Sequence, residues 1–113
     1  MPDAETIEQL KANQKVQDLV ALHNVRDELK RAREKFPGTS HVGMALVEEV
    51  GELHQALLEL QYEPHKGVSC VDVYWEAIQV ASTALRIATE GDATIPAYVP
   101  PHLTCNDVSD ATT

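Results

Sequence analysis

Aromatic side chains are scarce in this chain: one Trp, one Phe and three Tyr in 113 residues. A chain of this length has room for one hydrophobic core, and at this size much of its surface stays in water. With so few large rings to bury, it is expected to gain stability by covering a face against another subunit. Basic residues are few as well, nine Lys and Arg against eighteen Asp and Glu, for a net charge of −9. That balance repels nucleic acid and anionic membranes at long range, so a nucleic-acid polymer is disfavoured as a partner. No apolar run approaches the roughly 18 residues that span a bilayer. The opening Met1-Pro2-Asp3-Ala4-Glu5 is acidic where a secretory signal is basic, so a cytoplasmic protein without membrane attachment is expected. The two cysteines, Cys70 and Cys105, lack C-x-x-C spacing, which predicts free thiols and argues against a disulfide or a zinc knuckle.

Strand alternation, internal repeats and low-complexity tracts are also missing, and what is present is helical. From Asp3 to Phe36 there is no Gly or Pro, and Ile7, Leu10, Leu19, Leu22, Leu29 and Phe36 recur at helical spacing. This predicts one long amphipathic helix, with a thin apolar stripe near Asn13 to Gln17 where a break could fall. Pro37-Gly38-Thr39-Ser40 ends it and offers a Thr or Ser cap to the next helix. That second helix is predicted from about His41 to Tyr62, with Val42, Leu46, Val50, Leu53, Leu57 and Leu60 as its core stripe. Glu63 to Gly67 is long enough only for a tight antiparallel connection. A third helix, from Ser69 or Val71 to Glu90, is apolar on most sides and is expected to be central. Gly91 stops it, and the Pro-containing segment 92–113 reads as a tail, disordered or draped over a neighbouring subunit. The fold class is therefore all-α, with one domain over 1–91.

The second helix carries Glu48, Glu49 and Glu52 inside an apolar stretch. With Leu46 at the centre of the stripe, they lie at about 160°, 60° and 120° from it, flanking the core instead of opposing it. No Lys or Arg occurs between His41 and Tyr62 to pair with them. On the third helix Asp72, Glu76, Gln79 and Thr83 fall on one polar stripe, which the hairpin brings opposite the first set. Like charges crowded beside a core repel unless a cation intervenes, and oxygen-only ligation selects a hard one, Mg²⁺ or Mn²⁺. Such a cation would also let an acidic protein hold an anionic ligand such as a nucleotide. The alternatives are a solvated acidic face, or a ferritin-like di-iron site, and the latter fails because no Glu of the set has a His three residues on. His23, His41, His54, His65 and His102 form no H-x-x-x-H pair, and neither a phosphate loop nor a G-x-S-x-G nucleophile is present.

The run Ala45-Leu46-Val47-Glu48-Glu49-Val50-Gly51-Glu52-Leu53, followed by Glu76-Ala77-Ile78-Gln79-Val80-Ala81, resembles the MazG-like all-α nucleoside triphosphate pyrophosphohydrolases, in their compact phage and bacterial form. The family carries E-E-x-x-E on one helix and E-x-x-D on the next, and Gln79 stands here in place of the Asp. The resemblance implies an antiparallel helical bundle completed by oligomerisation, as a homodimer or homotetramer. It implies Mg²⁺- or Mn²⁺-dependent cleavage of a (d)NTP between the α and β phosphates, to a nucleoside monophosphate and pyrophosphate. Glu49, Glu52 and Glu76 would then bind metal, Gln79 or Asp72 would complete the shell, and Glu48 would orient or deprotonate the attacking water. Trp75 is a candidate to stack on a base, and Lys30, Arg33, Lys35 and Arg86 are candidates for phosphate contacts. Some phage relatives act on guanine nucleotides, which makes (d)GTP the first substrate to test. The competing reading is a non-catalytic helical interaction module whose acids are surface or calcium-buffering groups.

Overall fold

The structure is a computed structural model that describes residues 4–104. Helices α1 (Ala4–Lys35), α2 (Val42–Tyr62), α3 (Cys70–Glu90) and α4 (Pro101–Thr104) follow one another, with a 3₁₀ turn at Pro64–Lys66 between α2 and α3. Among the described residues there is no strand. The Asn13 to Gln17 stretch does not break α1. Amide bonds one turn apart, from Gln9 to Asn13 (3.1 Å) and from Gln14 to Asp18 (2.9 Å), support the helix where the apolar stripe is thin.

Helix α3 lies between the other two long helices, and both pack on it. Asn24 donates to the Tyr74 hydroxyl at 2.7 Å and Ser82 donates to the Val25 carbonyl at 3.3 Å, which fixes the phase of α1 on α3. The α2 stripe differs from the sequence expectation. Val50 and Leu57 are exposed, while Val42, Ala45, Leu46, Glu49, Leu53, Ala56 and Leu60 are among the buried or half-buried positions. The contact face is thus rotated by about 50° from the Leu/Val stripe, and Glu49 sits near its middle. The small Ala45 and Ala56 are on the covered side of α2, and the larger Val50 and Leu57 are not.

Expected to be enclosed nearly all round, α3 is open on one side among the described residues, where Ala77, Ala81, Ala84, Leu85 and Ala88 are exposed. The buried apolar core comprises only Leu29, Val42, Ala56 and Ile78 among the described residues. The radius of gyration is 18.5 Å, against about 13 Å for a compact domain of this length. Val47, Val50, Leu57 and Leu58 on α2 are likewise exposed. Light scattering at micromolar concentration is expected to give a multiple of the 12.4 kDa chain mass. A monodisperse monomer would contradict this.

The α1–α2 connection is held from outside itself. Arg86, buried on α3, donates to the carbonyls of Phe36 and Gly38 and pairs with Glu90 at 3.1 Å. The α2 cap is neither Thr39 nor Ser40. His41 occupies the N-cap position with φ 63° and no side-chain cap, and the Asp92 carboxylate supplies the acceptors instead. It takes the His41 N–H (3.1 Å), the Gly43 N–H (2.7 Å), and both the N–H and the hydroxyl of Thr94. A Cβ at Gly43 would stand 3.1 Å from Asp92 Oδ2, so a side chain there would push the carboxylate back by a few tenths of an ångström. Residues 92–100 therefore pack on their own chain: Ala93 donates to the Thr39 carbonyl at 3.0 Å, the Tyr98 hydroxyl donates to Ala88, and Pro100 is buried. The rest of the expected tail, 105–113 with Cys105, lies outside the described residues, while Cys70 is a free, exposed thiol.

These bonds, led by those from Thr94 and Gly43, hold the Asp92 carboxyl down at about 2. A carboxylate depressed in the folded state stabilises it above the unfolded value of about 3.9, and that stabilisation disappears as pH falls through the folded value. Asp92→Ala is expected to lower the melting temperature by several degrees at pH 7. Unfolding curves of the two proteins should converge as pH drops from 4 towards 2, and a constant difference over that window would exclude the carboxylate as the cause.

Candidate metal centre

Because α2 and α3 run antiparallel, the middle of one faces the middle of the other, and the two acidic stripes meet there. Carboxylate oxygens of Glu49, Glu52 and Glu76 all lie within 4.8 Å of one another. None of them, nor Glu48, is ion-paired to Lys, Arg or His among the described residues. Glu49 Oε2 is fully buried and has no hydrogen-bond partner among the described residues. Burial pushes the Glu49 carboxyl above its ordinary value, and the charges of Glu52, Glu76, Glu28 and Glu48 push in the same direction. Oxygen donors in this number and this close together fit Mg²⁺ or Mn²⁺ in chemistry. Glu48 is exposed on α2, one residue from the triad.

The fourth polar position of the α3 stripe divides. Gln79 lies one turn beyond Glu76 and lines a cavity that also reaches Glu49. Asp72 is not brought to the triad. Its carboxylate accepts the Ser69 N–H at 2.8 Å and the Ser69 hydroxyl at 3.0 Å, while its own N–H donates to Ser69 Oγ. This reciprocal pair closes the first turn of α3, and the backbone bond from Ser69 holds the Asp72 carboxyl below its usual range.

The cavity, about 380 Å³, lies between α1, the start of α2 and the end of α3. Ala32, Phe36, Val42 and Ala45 give it apolar walls, and Glu28, Arg31, Lys35, Gln79, Thr83 and Arg86 give it polar ones. Lys35 is therefore at the cavity, with its ammonium 5.4 Å from the Phe36 ring centroid. Arg86 lines it too, but its Nε and Nη2 are taken up by Glu90 and the loop carbonyls. Lys30 and Arg33 are on another side of α1, beside His23 and Arg26, where Arg33 pairs with Glu90 and Thr89. Trp75 is 45% exposed, does not line the cavity, and meets the Tyr74 ring edge-on.

Sequence reasoning missed Glu28 and Arg31. Their signal was present as helical spacing: Glu28, Arg31, Ala32 and Lys35 stand at i, i+3, i+4 and i+7 on one face of α1. No family model, curated protein or solved structure matches this chain.

Proposed function

We propose that the protein is a metal-dependent nucleoside triphosphate pyrophosphohydrolase, cleaving its substrate between the α and β phosphates. The observation that carries this reading is the buried, unpartnered Glu49 oxygen within a cluster of three carboxylates that no protein cation neutralises. An apolar helix contact stabilises a bundle better without such a charge, so its placement is accounted for by a ligand. Glu49, Glu52 and Glu76 would hold Mg²⁺ or Mn²⁺, with Gln79 near enough along α3 to add an amide oxygen. The ion would supply charge neutralisation for the triphosphate and for the charge that develops on its oxygens during displacement.

The remaining work falls to the chain's own groups. Glu48, solvent-facing and next to the triad, is placed to orient a water and accept its proton. Arg31 and Lys35 at the cavity replace Lys30 and Arg33 as candidates to contact phosphate. Self-association as a dimer or tetramer belongs to the same proposal and is supported by the open faces of α2 and α3.

Pyrophosphate release across the common NTPs and dNTPs with Mg²⁺ tests the activity directly, and no release from any of them would refute it. The interaction-module reading draws on the same exposed apolar faces. It predicts a melting temperature indifferent to millimolar Mg²⁺ or Mn²⁺, whereas a metal centre predicts a rise.

A further inference from the structure

The cavity beside the triad is bounded by Ala32, Val42 and Ala45, with Phe36 at its loop side. Such walls suit a flat ring, while Arg31 and Lys35 supply the cationic part of the lining. Glu49 belongs both to the triad and to the cavity lining, so a nucleotide with its phosphates at the triad has its nucleoside end beside this space. Facing it from α1 is Glu28, a side chain only 19% exposed. Arg31 covers that carboxylate, with Nη2 at 2.8 and 2.7 Å from its two oxygens and Nε at 3.3 Å. Arg31 itself is 62% exposed, so water can solvate its guanidinium when it leaves Glu28. Across the cavity, the Gln79 carboxamide has no protein partner among the described residues.

Resting on the pyrophosphohydrolase reading, we propose that this cavity is the nucleoside compartment and that Glu28 selects guanine, becoming available when the triphosphate draws Arg31 away. An ionised carboxylate only accepts hydrogen bonds. Guanine presents two adjacent donors, N1–H and the 2-amino group, that satisfy both oxygens. Adenine and cytosine place an amino group beside a ring-nitrogen lone pair, and uracil and thymine flank one N–H with two carbonyls, so each sets a lone pair against the carboxylate. Gln79 can donate or accept and tolerates the remaining edge.

The shared carboxylate links base selection to phosphate number. Arg31 and guanine compete for Glu28, and a triphosphate removes the competitor. After pyrophosphate leaves, Arg31 returns to Glu28 and weakens the hold on the monophosphate. Selection is therefore stronger for the substrate than for the product.

Calorimetry with Mg²⁺ and the α,β-methylene triphosphates of guanosine and adenosine, together with GMP and AMP, tests this. The guanosine triphosphate analogue is expected to bind about tenfold or more tighter than its adenosine counterpart. Glu28→Gln, which keeps the side-chain shape, should bring the two within about threefold by weakening only the guanosine analogue. Arg31→Ala should extend the guanine preference to the monophosphates. Equal wild-type affinities, or a preference that survives Glu28→Gln, would overturn the assignment of Glu28 while leaving the pyrophosphohydrolase reading intact. Binding of neither analogue would overturn that reading and this inference with it.

Discussion

Glu76→Gln and Glu49→Gln are each expected to lose Mg²⁺-dependent pyrophosphate release by about a hundredfold or more in kcat, since each removes one of the three carboxylates of the proposed metal centre. Neither should unfold the protein. Glu49→Gln should raise the metal-free melting temperature at pH 7, because burial and the neighbouring carboxylates raise the Glu49 carboxyl in the folded state. A raised carboxyl leaves the folded state fully stable below the unfolded value, near 4.3, and costs it stability as pH rises through the folded value. The gain from Glu49→Gln should accordingly vanish on acidification below pH 4. Mg²⁺ should stabilise the wild type and leave Glu49→Gln nearly unaffected. Asp72→Asn serves as the contrast: it should loosen the start of α3 and leave the Mg²⁺ dependence of turnover alone. Near-normal turnover in both Glu variants would remove the metal centre from the account of this protein.

Arg86→Met is expected to cost about 2–4 kcal/mol of stability, because it leaves two loop carbonyls without their donor, while Glu90 keeps Arg33. The side chain is 7% exposed, and without it the Phe36 and Gly38 carbonyls lose their donor and Glu90 loses a partner inside the fold. Against a total of about 5–15 kcal/mol for an ordinary domain, the variant would be close to its unfolding limit. Urea titration followed by circular dichroism measures the difference. A loss under about 1 kcal/mol would mean that the Asp92 contacts alone retain the α1–α2 connection.

The three long helices and the pairing of the acidic stripes were legible because both are local periodicities, and helical spacing carries them directly. The phase of α2 was not. A hydropathy stripe centred on Leu46 ranks Ala45 and Ala56 below Val50 and Leu57, yet Ala45 and Ala56 are the covered residues, and that rotation moves Glu49 from the edge of the contact to its middle. The α2 cap was illegible for a different reason. Thr39 and Ser40 stand where local rules place a cap, but Asp92 reaches the same amides from some fifty residues away in the chain. The cations were divided for a related reason: spacing groups Glu28, Arg31, Ala32 and Lys35 on one face of α1, but without a strong apolar stripe to set its phase nothing local tells which face meets the cavity.

Every residue of α1 from Thr6 to Val20 is exposed, and burial begins only at Ala21. A free helical segment of that length is marginal in water, whereas the half anchored by Leu29 can open only with the core. Amide exchange along this one continuous helix should therefore fall into two classes, with rapid end-fraying exchange before Ala21 and exchange limited by global unfolding beyond it. Covering the first half by another chain would raise its protection selectively, so the exchange pattern itself reports whether this arm is engaged in the assembled state.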